Sequence, residues 1–365
     1  MKNNLDEKRI ILGLSGGVDS TAAALILQKQ GYRVTGLYFN VLNGFCINHE
    51  RNMAKGREKA ERAARQIGID LIYKDLSDTF DGIVAGNFCS EYMKGRTPNP
   101  CVVCNPNIKF RALLDAADEA GAAYIATGHY ADTFFNPEDG LWYIKNAANE
   151  RKDQSYMLYR LGQEAISRLI LPLKDYEDKE LTRSIAREAG IGNSEQKDSQ
   201  EICFIDADDN YIDYMARKGY MAPEGNFVDI QGNILGKHKG ISHYTIGQRK
   251  GLGIALGYPA FVSGIDSENN TVELSNGDNL FTGKVTCSDG AGPIFDKYTE
   301  NKLCQLNMEV LAKIRYAAKP ARALLKVTGD NTAALEFFEN QRAVTPGQSV
   351  VFYKDSLLLG GGFID

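Results

Sequence analysis

Arg9-Ile10-Ile11-Leu12-Gly13-Leu14-Ser15-Gly16-Gly17-Val18-Asp19-Ser20 carries an apolar run into a glycine turn and then into a helix, and its reading decides the fold. Arg9 to Leu14 has the length and composition of a short buried strand, and Thr21 to Gln30 is an alanine- and leucine-rich helix that stops at Gly31. Between them, two adjacent glycines let the backbone approach an anion closely. The helix beyond presents unpaired N–H groups and the positive end of its dipole. Ser15 and Ser20 add hydroxyl donors. No lysine follows the glycines as in a Walker A loop, and there is no G-x-G-x-x-G, so kinase-like and dinucleotide-binding readings are disfavoured. The expectation is a phosphate-chain cradle in an ATP-using enzyme. Asp19 either orients a magnesium ion on the phosphates or caps the helix.

Outward from this loop, strand-like segments at Arg33 to Phe39, Asp70 to Tyr73 and Ala123 to Thr127 alternate with helical stretches at Glu58 to Gln66 and Ile108 to Glu119. That alternation predicts an α/β fold with a doubly wound parallel sheet. Ligands in such folds gather at the carboxyl ends of the strands, where both the Ser15 loop and Gly128-His129 fall. A further helix is expected over Leu181 to Glu188. From about residue 209, ten glycines between Gly219 and Gly264 punctuate short segments, which suits a small central domain of tight turns and sheets. Within this stretch Arg249-Lys250, set between glycines, is either a phosphate contact or an exposed turn. From about residue 278, runs at Leu303 to Ile314, Ala321 to Val327 and Ser349 to Tyr353, with a turn at Thr345 to Gln348, predict a C-terminal β-barrel. The expected domains are therefore 1–208, 209–277 and 278–365.

At 365 residues and 43% hydrophobic, the chain has enough material for two or three cores. A net charge of −5 argues against nucleic-acid binding through bulk charge, though not against a local basic surface. The charged N-terminus has no apolar h-region and no run approaches a membrane span, so a cytosolic protein with no membrane partner is expected. Seven cysteines, an odd number scattered widely, do not form a secreted disulfide framework. Cys46, Cys89, Cys287 and Cys304 read as small buried apolar side chains. Cys101-Val102-Val103-Cys104 lies in a proline-braced loop, and Cys203 follows about a hundred residues later. No second C-x-x-C is present and the chain has 4 histidines, which weakens a structural zinc site.

The loop Ser15-Gly16-Gly17-Val18-Asp19-Ser20 resembles that of the N-type ATP pyrophosphatases, which transfer AMP to a carbonyl oxygen. Further segments narrow the resemblance: Gly95 to Pro100, Cys104-Asn105, Ile108-Lys109-Phe110, Ala126 to Tyr130, Lys152 to Tyr156, Asp198-Ser199, Ile202 to Ile205, Gly247 to Gly253 and Thr345 to Gln348. Together with Gly13 to Ser20 they make the chain, from about residue 9 to its end, closely similar to the bacterial tRNA-specific 2-thiouridylases. The resemblance implies an adenine nucleotide alpha-hydrolase-like N-terminal domain and sulfur-for-oxygen exchange at C2 of the wobble uridine, through adenylation and release of pyrophosphate. It implies ATP binding by Gly13, Leu14, Ser15, Gly16, Gly17, Val18, Asp19 and Ser20, with Phe39 beside the base and Gly128 near the nucleotide. It also implies that Cys203 carries a persulfide and that Cys104 is the nucleophile, their reaction leaving a Cys104–Cys203 disulfide to be reduced.

The tRNA contacts implied are Asn99, Pro100 and Cys101, then Lys152, Asp153 and Gln154, then Arg315 and Tyr316. Lysine and arginine suit phosphate, amides suit base edges, and tyrosine suits stacking on an unpaired base. ATP with Mg2+ is the implied cofactor set, a cysteine desulfurase or sulfur-relay protein the implied donor, and a monomer the expected state. One departure stands out, because many relatives have aspartate where this chain has Cys101. Three thiolates, Cys101, Cys104 and Cys203, open the alternative of a 4Fe-4S cluster that would replace persulfide chemistry. The rival classes are an amidotransferase or synthetase with the same loop, which would need neither Cys104 nor Cys203, and a non-catalytic tRNA- or nucleotide-binding protein.

Overall fold

The computed structural model describes residues 5–188, 190, 202–301 and 307–365. Chain contacts divide it into two compact units. One takes the chain up to Ile83 together with Cys101–Ala207 and Ser356–Leu358, and the other takes Val84–Pro100, Asp208–Asp355 and Leu359–Asp365.

The first unit contains β1 (Asp6–Gly13), β2 (Arg33–Asn40), β3 (Asp70–Asp75), β4 (Ala122–Ala126), the hairpin β5 (Asp132–Asn136) and β6 (Leu141–Lys145), and β7 (Leu169–Ile170). Five of these form a parallel sheet in the order β3-β2-β1-β4-β7. The chain steps outward from β1 to β3 and then crosses to the other side of β1, so the strand order reverses between β1 and β4. Above the carboxyl ends of that pair lies the crevice where such sheets bind ligands. Ile10, Leu12 and Leu14 pack with Ala23, Ala24 and Leu27 of α1 (Val18–Lys29) and with Ala63 and Ala64 of α2 (His49–Ile67). The small alanines let both helices lie close to the sheet, and each fully buried leucine or isoleucine contributes roughly 1.5–3 kcal/mol.

Two boundaries differ from the sequence reading. α1 begins at Val18 instead of Thr21, because Gly17 is its cap and the loop residues themselves form the first turn. α2 begins at His49, well before Glu58, since its first half is charged and mostly exposed and carries no apolar stripe to read. The helix expected from Ile108 is preceded by a short helix, Pro100–Cys104, and a wide turn, Asn105–Lys109, before running Phe110–Ala120.

The second unit holds a four-stranded sheet and a barrel. In the sheet, β8 (Gly225–Val228), β9 (Ile234–His238), β10 (Phe261–Asp266) and β11 (Thr271–Ser275) run in the order β10-β11-β8-β9 around Phe227, Val262, Val272 and Leu274. The barrel comprises β12 (Phe281–Ala291), β13 (Asn307–Lys313), β14 (Ala321–Gly329), β15 (Thr332–Arg342), β16 (Ser349–Lys354) and β17 (Leu357–Ile364). Its order β12-β15-β14-β13-β16-β17 closes through β12–β17 pairing. Ala323, Leu325 and Val327 point inward while Arg322, Leu324 and Lys326 point out, the period-two alternation of a half-buried strand. Leu303 and Cys304, expected at the start of β13, lie outside the described residues. Arg249 and Lys250 are exposed in an irregular segment.

Within this unit the segment Gly95 to Pro98 is strapped to the turn at Thr345 to Gln348. Thr97 N–H donates to the Pro346 carbonyl at 2.8 Å, and Gln348 Nε2 donates to the Thr97 carbonyl at 3.0 Å. Arg96 donates to Glu91 at 2.7 Å and to the Ile364 carbonyl at 2.9 Å. Gly347 makes the turn possible, with φ +86 and a Cβ position 3.0 Å from the Thr97 backbone. Gly347→Ala should therefore destabilise this unit by at least about 1–2 kcal/mol from the left-handed backbone alone. Gly82→Ala, where nothing lies within 4 Å, is its control. Denaturant unfolding followed by circular dichroism checks this; equal midpoints for the two variants would contradict it.

Candidate active site

A cavity of about 290 Å³ opens at the carboxyl ends of β1, β2 and β4. Gly13, Leu14, Ser15 and Ser20 form one wall, Leu37, Tyr38 and Phe39 a second, and Thr127, Gly128 and His129 a third. Lys109 and Gln154 also reach it. In the loop, Ser20 Oγ donates to the Gly17 carbonyl at 3.0 Å and lies 3.2 Å from Ser15 Oγ. Gly17 caps α1 in an extended conformation and offers no side chain, so the first-turn N–H groups are left to an external acceptor. Gly128 lines this cavity and also stands against the loop. A Cβ there would sit 2.8 Å from the Asp19 carbonyl carbon and 2.9 Å from the Ser20 nitrogen, so the backbone after β4 braces the first turn of α1 directly.

Asp19 sits in that first turn. Its Oδ1 accepts from Tyr130 Oη at 3.0 Å, and the same hydroxyl is 3.1 Å from Thr182 Oγ1. Burial, with Asp19 adding to it, pushes the Tyr130 hydroxyl well above the usual phenol range, although Thr182 opposes the shift, so Tyr130 remains a donor. Gln154 is fixed by accepting from Tyr130 N–H at 3.0 Å and donating its own N–H to the Tyr130 carbonyl at 2.7 Å. His129 Nδ1 is 2.7 Å from Thr127 Oγ1; burial, with Lys109 beside it, holds the ring well below the usual imidazole range and therefore neutral.

The cysteines expected to act are in the same unit. Cys101 is exposed and Cys104 half-buried at the end of the Pro100–Cys104 helix, and Cys203 is exposed. Burial raises the Cys104 thiol, opposed by the Lys109 ammonium and by the Lys109 backbone N–H. Although Cys203 keeps surface open to solvent, desolvation raises its thiol too, followed by the neighbouring Cys104 and Cys101, with Lys109 again opposing. Lys109 thus acts on both thiols and also lines the nucleotide-sized cavity. Sequence reasoning quoted Lys109 within Ile108-Lys109-Phe110 but gave it no role. A cation held between two buried apolar residues was the signal available. Tyr130 was likewise quoted without a role. Cys46, Cys89 and Cys287 are buried, as small apolar side chains would be. Asp198, Ser199, Gln200 and Glu201 lie outside the described residues. Among the described residues no group of three His, Cys, Asp or Glu side chains is gathered as a metal-ligand set.

The residues expected at tRNA fall in distinct settings. Asn99 and Pro98 line a second cavity of about 400 Å³ within the other unit, with Asn87, Lys94, Arg96 and Phe363. Asp153 is buried and its carboxylate accepts from Ala147 N–H at 3.0 Å and Ser155 Oγ at 2.6 Å, a turn-holding arrangement. Lys152 is half-buried beside it. Arg315 is exposed and donates to the Arg342 carbonyl at 3.2 Å, while Lys313 Nζ stands 5.5 Å from the ring of Tyr316. No helix among the described residues is long and apolar enough to cross a membrane.

Because Lys109 alone among the named neighbours is a cation opposing the rise of Cys104, Lys109→Met should move that thiol higher still. Thiolate is the reactive form, so alkylation of Cys104 should reach half its maximal rate above the ordinary thiol range, and at a higher pH again in the variant. Peptide-resolved iodoacetamide labelling against pH measures both; coincident profiles would remove Lys109 from the thiol site.

Sequence comparisons agree with this architecture along the whole chain. Residues 8–207 match a family model described as the tRNA methyl transferase HUP domain, residues 213–276 its PRC-barrel domain, and residues 296–364 an aminomethyltransferase beta-barrel domain. The chain is 44% identical to the tRNA-specific 2-thiouridylase MnmA 1 of Clostridium tetani, covering 98% of this chain and 97% of that protein. It is 42% identical to the MnmA protein of Clostridium perfringens over 99% of both, and 41% identical to that of Clostridioides difficile over 98% of both. With similarity of this degree across all three matched segments, the chain belongs to the family of tRNA-specific 2-thiouridylases.

Proposed function

We propose that this protein is an ATP-dependent tRNA-uridine 2-sulfurtransferase that converts the wobble uridine to 2-thiouridine. The observation that carries the reading is the single unit in which an uncapped helix N-terminus at the strand-order reversal shares Lys109 with two cysteines. A uracil carbonyl oxygen is a poor leaving group. In the first step that oxygen attacks the α-phosphorus of ATP, the bond to the β-phosphate oxygen breaks, and pyrophosphate departs. Gly13 to Ser20 hold the phosphates through backbone N–H groups and the Ser15 and Ser20 hydroxyls, while Phe39, with Tyr38, walls the base and Gly128 keeps the loop in register. Asp19, a hard oxygen donor aligned by Tyr130, suits the magnesium ion that accompanies ATP and neutralises phosphate charge.

In the second step the terminal sulfur of a Cys203 persulfide attacks C2 and AMP leaves. Cys104 thiolate then attacks Cys203 Sγ, forming the Cys104–Cys203 disulfide and leaving the sulfur on C2 as the thiocarbonyl. A cellular thiol reductant reopens the disulfide, and a cysteine desulfurase or relay protein reloads Cys203. Nothing in this sequence requires Cys101, whose exposed position with Asn99 and Pro100 suits the tRNA-facing loop. Lys152, Asp153, Gln154, Arg315 and Tyr316 make up the remaining contact set, with Asp153 acting by holding its turn.

Mass analysis of nucleosides from tRNA incubated with the protein, ATP and a persulfide donor should show sulfur replacing one oxygen of uridine. Its absence with every donor would overturn the function. Asp19→Ala should abolish AMP formation. Cys104→Ala and Cys203→Ala should each abolish thiolation while leaving AMP formation in place, and Cys101→Ala should keep substantial activity. Loss of activity together with bound iron in Cys101→Ala would instead favour the cluster chemistry.

On the tRNA side, Arg315→Glu or Lys152→Glu should weaken binding and lower the salt-dependence slope by about one ion per lost phosphate contact. Filter binding across a salt series reads this directly, and an unchanged slope would move the tRNA surface elsewhere.

A further inference from the structure

The phosphate loop contains no lysine between Gly13 and Ser20, so its own residues offer a polyphosphate only neutral donors. A lysine reaches it from another element. Gly16 has φ +72, and a Cβ on it would lie 2.6 Å from the Lys59 carbonyl oxygen and 2.8 Å from Lys59 Cγ. α2 therefore lays the Lys59 backbone and the base of its side chain against the loop, and bare Gly16 is what leaves room for them.

The acidic neighbours of Lys59 on α2 are taken by other cations. Glu61 pairs with Arg57 at 2.8 Å and with Arg65 at 3.8 Å, and Glu58 pairs with Arg62 at 2.7 Å. Lys59 itself is half-buried and, among the described residues, has neither an ion pair nor a hydrogen bond. An ammonium partly removed from water without an anion is unfavourable, which burial registers by lowering its proton affinity. A ligand carrying negative charge on the loop removes that penalty.

We propose that Lys59 binds the β- and γ-phosphates of ATP and then the departing pyrophosphate, supplying from α2 the cation that the loop lacks. The inference rests on the ATP-using reading above. It assigns Lys59 to the part of the nucleotide that leaves and not to the AMP moiety, so the two halves of ATP should respond differently to its loss.

Calorimetric titration of the full-length protein with ATP, inorganic pyrophosphate and AMP tests this. Loss of a charge-assisted contact corresponds to about a ten- to hundredfold change in affinity. Lys59→Met is expected to weaken ATP and pyrophosphate by that factor and leave AMP within about twofold on the same scale, with Lys59→Arg restoring most of the loss. Unchanged pyrophosphate affinity in Lys59→Met, or an equal loss for AMP, would overturn the assignment, the latter because it signals a distorted loop. Failure of the wild-type protein to bind ATP or pyrophosphate would instead overturn the ATP-using reading itself.

Discussion

The uncapped start of α1 is the constraint around which the first unit is built. Its first-turn N–H groups have no side-chain acceptor, because Gly17 occupies the cap position, and buried helix ends without partners are otherwise avoided. Holding such an end in place requires support from several directions. β1 delivers the loop from the centre of the sheet, with Ile10, Ile11 and Leu12 at most 1% exposed. Alanines seat α1 on that sheet, Gly128 braces its first turn from β4, and Tyr130 ties Asp19 to Thr182. Together these contacts hold the uncapped end in place, where its vacant donors suit an anion such as phosphate.

A second demand follows from chemistry in two steps. In the proposed reaction an activated carbonyl would be exposed to water until sulfur arrives, which favours an activating group and a sulfur carrier served from one place. The segment from Pro100 to Lys109 meets this demand by its length alone. One short helix ends in Cys104, one wide turn follows, and Lys109 at its end reaches the nucleotide cavity while its backbone N–H and ammonium both act on Cys104. The wide turn is the informative detail, since an inserted residue in a helical turn re-aims the side chains that follow, and such turns recur at functional sites.

Much of this was legible in the sequence because the signals were local. The strand, loop and helix of residues 9–30 announce themselves through composition and glycine placement, and β14 through its alternation. What escaped depended on partners far away in the chain or on local patterns that composition does not mark. The early start of α2 at His49 has no apolar stripe. Tyr130 acquires a role only when α1 brings Asp19 to it across 111 residues. Asp153 is buried and its carboxylate accepts from Ala147 N–H and Ser155 Oγ, a turn contact that its residue type alone did not announce. The sequence placed Gly128 near the nucleotide but could not show that its bareness is also demanded by the backbone of Asp19 and Ser20, more than a hundred residues earlier.

The thiol environment bears on which sulfur chemistry such a site favours. Both Cys104 and Cys203 are raised by desolvation and by neighbouring thiols, and one cation opposes the shift at each. A raised pair stays protonated longer, which slows idle disulfide formation between the two cysteines. The attacking power of a thiolate also grows with its proton affinity, so Cys104, once deprotonated, is the stronger nucleophile for its burial. Lys109 opposes the shift at both thiols, so in the proposed persulfide cycle its charge would favour the Cys104 thiolate.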